Sequence, residues 1–204
     1  MQRWSFAAVL GIALSIPSWG EEAATPAADP KVESAAPAAR VAIFMPEQID
    51  GDWYWYDHGA GQQHLTQTAF EKAFVKEGFD ILDVANIGGR ISYEDLFSPK
   101  TATAKGKELG ADYVVAGKAT GSKVSEGSAY GVGVIRARAE ITARLVRISD
   151  GKVLAVEDGT AEAGGQAIKA ASQDALKKAA PPVARKLANA LKQAQESVEA
   201  TPAP

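Results

Sequence analysis

The sequence predicts an α/β fold of the α+β kind, with a mixed sheet of about five strands, an antiparallel C-terminal meander, two helices in the N-terminal half and a long C-terminal helix packed on the sheet. Three observations carry this. Up to Gly110, short apolar runs closed by proline or glycine alternate with segments of helical period. Beyond it, "RARAEITARL" (residues 136–145) places Arg136, Arg138, Glu140, Thr142 and Arg144 on one face. Ala137, Ala139, Ile141, Ala143 and Leu145 fall on the other, the pattern of a strand with one wet face. After Gly164-Gly165, apolar residues recur at Ile168, Ala171, Ala175, Ala179, Val183, Leu187, Leu191 and Ala194, which is one stripe of a helix.

Taken in order, "RVAIFMP" (residues 40–46) is an apolar run closed by proline and reads as a buried first strand. An irregular aromatic stretch follows. In "QHLTQTAFEKAFVKEG" (residues 63–78), Leu65, Ala69, Phe70, Ala73 and Phe74 have helical spacing and Gly78 supplies the stop. "FDILDV" (residues 79–84) is the second strand. Ser98-Pro99 offers an N-cap followed by proline at the first helical position, opening a short helix that ends at Gly110. Gly106 weakens that helix by about 1 kcal/mol against alanine. "ADYVVAGKA" (residues 111–119) is a strand expected to leave the sheet at Gly117 through a polar hairpin loop, re-entering at "GVGV" (residues 131–134). Asp150-Gly151 is a hairpin turn, since both residues tolerate positive φ. Pro181-Pro182 interrupts the last helix, so either it kinks there or a second helix begins at the prolines.

The termini read differently from this domain. Residues 1–20 carry Arg3, an apolar run from Phe6 to Ile16, and the small residues Ser18 and Gly20, the pattern of a secretory signal peptide with cleavage before Glu21. The run is too short for a membrane-spanning helix, which needs about 20 residues. Residues 21–39 are rich in Ala and Pro, with Glu21, Glu22, Asp29 and Glu33 against Lys31, and are expected to form a disordered tether. Residues 40–198 then form a single domain and 199–204 a disordered tail. With no cysteine, the chain can form no disulfide, no thiolate metal site and no lipidated N-terminal cysteine, so a periplasmic protein that is not a lipoprotein is expected. The formal net charge of −3 gives no reason to expect nucleic acid as a partner.

Several candidate sites can be weighed by spacing. "GKATGSK" (residues 117–123) looks like a phosphate loop, but Gly117 and Gly121 stand too close, Ser122 precedes Lys123, and no helical period follows. "DGDWYWYDHGAGQQH" (residues 50–64) concentrates Trp53, Tyr54, Trp55 and Tyr56 beside His58 and His64. Together with Tyr130, these form the candidate partner-binding set, either a platform for protein or glycan or a cover over the open end of the sheet. The two histidines with Asp57 have no recognised metal-ligand spacing, so no metal or other cofactor is expected. No serine sits in a nucleophile elbow. The alanine-rich stripe of the last helix lacks the bulky apolar residues of a membrane-surface helix and is expected to pack on the sheet.

The order "KELGADYVVAGKATGSK", glycine-rich loop, "RARAEITARLVRISDGKVLAVEDGTAEAGG", alanine-rich helix resembles the CsgG-like and TolB amino-terminal-like periplasmic α/β domain superfamily. That superfamily includes the curli secretion protein, the middle domain of a flagellar assembly protein and lipoprotein activators of penicillin-binding proteins. The resemblance spans residues 107–191 and rests on Leu109 to Asp112, Gly117, "ARLVRI", and Gly151 to Val153. It implies a non-catalytic binding or assembly protein of the cell envelope, acting on outer-membrane, flagellar or cell-wall machinery, with homo-oligomerisation left open. The absent cysteine and short connections argue against a lipid-anchored pore. The alternative is a module that binds peptidoglycan, another glycan or a small ligand.

Overall fold

The computed structural model describes residues 38–54, 64–84, 99–129 and 132–199. They form a mixed sheet with helices on both faces. The strands are β1 (Arg40–Phe44), β2 (Glu47–Ile49), β3 (Asp52–Tyr54), β4 (Asp80–Leu82), β5 (Tyr113–Ala129), β6 (Val132–Arg147) and β7 (Val153–Gly165). The helices are α1 (Leu65–Lys76), α2 (Pro99–Glu108) and α3 (Ile168–Glu199).

Strand β5 organises the sheet. On one side it pairs parallel first with β1 (Val41 opposite Tyr113) and then, further along, with β2 (Glu47 opposite Ala119). On the other side β6 follows it antiparallel along its whole length, and β7 pairs antiparallel with β6. β4 lies parallel to β1, and β3 returns antiparallel to β2. The described residues therefore hold seven strands where the sequence reading had about five. The two additions, β2 and β3, are a hairpin turned by Asp50 (φ 52°) and Gly51 (φ 91°). That is the same Asp-Gly signal that was read correctly at Asp150-Gly151, where Gly151 has φ 69°.

One other expectation is corrected. Gly117 does not end its strand: β5 runs on to Ala129, and residues 121–129 and 132–134 are paired strand rather than loop. A Cβ on Gly117 would collide with the backbone of β6 at Thr142 and Ala143, so its glycine marks a close strand approach. Of the two outcomes left open at Pro181-Pro182, no second helix begins there: α3 runs through both prolines as one element. Both prolines are exposed, while Ala175, Leu176, Ala179, Ala180, Val183, Ala184, Leu187 and Leu191 are buried on either side of them. Burial of that stripe offsets the two backbone bonds the prolines remove.

The core lies in two layers because β1 is buried on both faces. Val41 and Ile43 pack with Phe70 and Phe74 of α1 and Leu176 and Leu187 of α3. Ala42 and Phe44 pack with Val114, Ala116 and Ala102 of α2 on the opposite face. Gly106 belongs to this second layer: a Cβ there would strike Val114, so the glycine that weakens α2 locally is what lets it reach the sheet. The alternation read in β6 holds, with Ala137, Ala139, Ile141, Ala143 and Leu145 buried under α3. On the wet face Arg138 donates to Glu162 of β7 at 2.7 and 3.0 Å.

The approach of α3 to the sheet is limited by contact of small residues. A Cβ at Gly121 would lie 2.6 Å from Cβ of Ser172, and one at Gly159 2.5 Å from Cγ2 of Val183. Ser172 is fully buried and its hydroxyl has no hydrogen-bond partner, so it is there for size. Gly121→Ala should therefore cost about 1–3 kcal/mol by overpacking. Ser172→Ala should stabilise by about 1 kcal/mol, since it deletes a buried, unsatisfied hydroxyl. Urea denaturation of the two variants beside the parent chain checks both signs.

Candidate interaction surface

The aromatic segment singled out in the sequence begins on β3 and ends at α1. Trp53 and Tyr54 lie in β3, opposite Gln48 and Glu47 of β2. His64 is the N-terminal cap position of α1, with φ −76° and ψ 86°, and its side chain makes no cap hydrogen bond. Trp55, Tyr56, Asp57, His58 and Tyr130 lie outside the described residues. Among the described residues no group of three or more His, Cys, Asp or Glu could hold a metal ion.

Both ends of residues 55–63 are held by one buried carboxylate. Glu47 is 2% exposed and pairs with Tyr54 across the β2–β3 ladder. Its carboxylate accepts hydrogen bonds from the backbone N–H groups of Thr66 and Leu65, the first turn of α1. A helix begins with N–H groups that have no partner within it, and Glu47 supplies from a distant strand the cap that His64 does not. Burial pushes the Glu47 carboxyl above its ordinary value, while the Thr66 backbone N–H, the Thr66 side chain and the Leu65 N–H pull it back. The Thr66 hydroxyl acts there only electrostatically, since it makes no bond of full geometry.

One turn on, Gln67 repeats the device on β1. Its Oε1 accepts from Met45 N–H at 3.1 Å and its Nε2 donates to the Ile43 carbonyl at 2.9 Å. These two backbone groups lie past the last β1–β4 pair, Ala42 with Leu82, so the side-chain amide stands where the next peptide of a neighbouring strand would be. The same Nε2 donates to Glu71 Oε1 at 2.8 Å. Sequence reading missed Glu47 and Gln67. Gln67 falls beside the apolar stripe of α1, which was the available signal, whereas Glu47 had none because its partner lies 19 residues away.

Beyond Gly121 β5 continues along β6, with a bulge between Lys123 and Ser125, while β7 stays paired to β6 as far as Ile135; only residues 127–129 and 132–134 form a two-stranded arm, of about 10 Å. Residues 122–128 are exposed, and the hairpin carries two exposed apolar side chains, Val124 and Val132. The Asp50 N–H donates to the Gly121 carbonyl at 3.0 Å, fixing the β2–β3 turn against β5 where its exposed end begins. The aromatic hairpin and the exposed end of β5 thus meet at one end of the sheet. Among the described residues β3, β4 and β7 each pair on one side only, leaving strand edges open. His64 is half-buried; burial lowers its pKa, and the Glu71 carboxylate only partly restores it.

No known family profile matches the chain, and no curated protein matches it. Among solved structures it is similar to lipoprotein GNA1162 from Neisseria meningitidis, at 16% identity over 75% of this chain and 99% of that one, with a TM-score of 0.39. It is similar to the LpoB C-terminal domain from Salmonella enterica, at 14% identity over 63% and 85%, TM-score 0.36. A PelC dodecamer from Paraburkholderia phytofirmans matches at 13% identity over 71% and 86%, TM-score 0.35. None of these likenesses assigns this chain an activity.

The Glu47 contact sets a prediction. Glu47→Ala leaves the N–H groups of Leu65 and Thr66 without their acceptor and should cost about 1–3 kcal/mol. A carboxyl whose folded pKa lies above its unfolded value binds more protons when folded, so its contribution to stability falls as pH rises. Stability relative to Glu47→Gln should therefore fall as pH rises from about 4 toward the folded pKa of Glu47. Paired urea titrations of the two proteins across that range check it, and a flat difference overturns it.

Proposed function

We propose that the chain is a non-catalytic, periplasmic binding or assembly protein of the bacterial cell envelope, of the CsgG-like and TolB amino-terminal-like kind. It acts through protein–protein contacts with outer-membrane, flagellar or cell-wall machinery. One observation carries the reading: Tyr54 and the first turn of α1, which flank residues 55–63, both meet Glu47, beside the exposed end of β5 with Val124 and an open strand edge. Trp and Tyr concentrate binding energy in interfaces, and open edges accept strands from partners.

The placement in the periplasm is supported by the leader-like pattern of residues 1–20, and the domain limits proposed are 40–198 between a tether at 21–39 and a tail. No helix among the described residues is long and apolar enough to cross a membrane. The partner-binding residues are Trp53, Tyr54, Trp55, Tyr56, His58, His64 and Tyr130.

In-cell crosslinking identifies the partner, and purified proteins then test the site. The double variant Trp53→Ala with Trp55→Ala should keep the parent circular dichroism and melting curve while capture falls about 30-fold or more, the loss of a hot spot worth about 2 kcal/mol. Undiminished capture overturns the proposed site. Binding of peptidoglycan fragments by the purified chain, without a protein partner, favours the glycan module instead.

A further inference from the structure

Helices α1 and α3 lie side by side on one face of the sheet and run in the same direction. At the C-terminal end of α1, Lys192 Nζ donates to Glu77 at 3.2 Å; at its N-terminal end, His64 and Leu65 share a groove with Lys177 and Pro181. The groove has a volume of about 870 Å³. That falls in the range of about 300–1,000 Å³ typical of sites for one small organic ligand, and the space between packed helices is a usual place for them.

Its walls divide by chemistry. Leu65, Ala69 and Ala73 of α1 and Pro181 of α3 make an apolar floor. Lys72 and Lys76 of α1 and Lys177 and Arg185 of α3 line the same groove, against one carboxylate, Glu71, that already accepts a bond from Gln67. Other lysines of α3 have acidic partners: Lys186 pairs with Glu157, Lys192 with Glu77, and Lys177 with Asp174. Lys72, Lys76 and Arg185 make no ion pair among the described residues. With the Glu77–Lys192 contact as a marker of register, Arg185, about two turns before Lys192, lies level with Phe70, within about 3 Å of Lys72 along the axis. Three unpaired cations thus line the groove from its middle toward its C-terminal end, and the apolar floor extends from them toward His64.

We propose that this groove binds a single-chain phosphate amphiphile, with the phosphate held by Lys72, Lys76 and Arg185 and the hydrocarbon chain lying along Leu65, Ala69, Ala73 and Pro181. Three cations at one end match a doubly charged head better than a single carboxylate, and Arg offers phosphate a bidentate fork. The exposed cations border the apolar floor, so charge and hydrocarbon are recognised together. This site adjoins the proposed partner-binding set at His64, but its phosphate-holding residues lie outside that set, and the inference does not depend on a protein partner.

The test is calorimetric titration of the full chain with dodecyl phosphate below its micellar concentration. Dodecyl phosphate should bind about ten-fold or more tightly than inorganic phosphate, dodecanol or a glutamate oligomer. Arg185→Gln and Lys72→Gln should each weaken it about five-fold or more, with unchanged melting curves, since both side chains are exposed. Equal binding of inorganic phosphate would mean a charge site only, and equal binding of dodecanol an apolar site only. A glutamate oligomer that binds as well would mark a site for acidic peptide. Any of these results, absence of binding, or variants that bind like the parent would overturn the proposal.

Discussion

The distance between α3 and the sheet is the constraint from which the rest of this structure follows. Glycine at 121 and 159 and small residues at 171, 172, 175 and 179 let the helix backbone come close enough that one added methyl group has no room. A helix that close covers β5, β6 and β7 with a stripe in which alanines alternate with Leu176, Val183, Leu187 and Leu191. The contact is extended, which is why α3 tolerates two prolines in its middle. Past Gly121 β5 is exposed, and only the last residues of the β5–β6 hairpin extend beyond β7.

A second, smaller set of contacts carries this order to the surface. Glu47 and Gln67 are buried polar side chains that complete hydrogen bonding where regular structure stops, one at the start of α1 and the other at the end of β1. Unpaired backbone groups in a core are costly, so each contact is strongly position-specific. Through them β1, β2, β3 and α1 act as one unit. The two ends of the aromatic segment are parts of that unit, and so is one wall of the α1–α3 groove. A carboxylate in such a place resists ionisation, and its protonation links the stability of this end of the sheet to pH.

The geometry suits recognition. Exposed valines at the end of the β5–β6 hairpin, open strand edges and a cationic groove are the features among the described residues that a binding partner could use. The hairpin and arm lie at one end of the sheet and the groove between the helices, and the two adjoin at His64.

Much of the fold was legible in local patterns. The alternation in β6, the helical stripe of α3, and the stops at Gly78 and Gly110 (φ 91° and 72°) depend on side chains within one element and are written in consecutive residues. The β2–β3 hairpin was legible too, through Asp50-Gly51, but the aromatic composition around it masked the turn. The glycines were not legible in their true role. Gly106, Gly117 and Gly121 read as breakers or loop residues, because the sequence carries their backbone freedom but not the side chain or strand that passes over them. Glu47 was silent for the same reason: a carboxylate looks solvated until the fold brings the first turn of a helix to it. Of the candidate site, the sequence marked the aromatics and both histidines, and the structure placed Trp53, Tyr54 and His64. By itself, then, the sequence determined which segments form strands and helices and which faces they bury, since periodicity is a local property. Tertiary structure alone decided how closely those elements approach, which polar groups meet in the core and which cations are left to face a groove, because each of these depends on residues far apart in the chain.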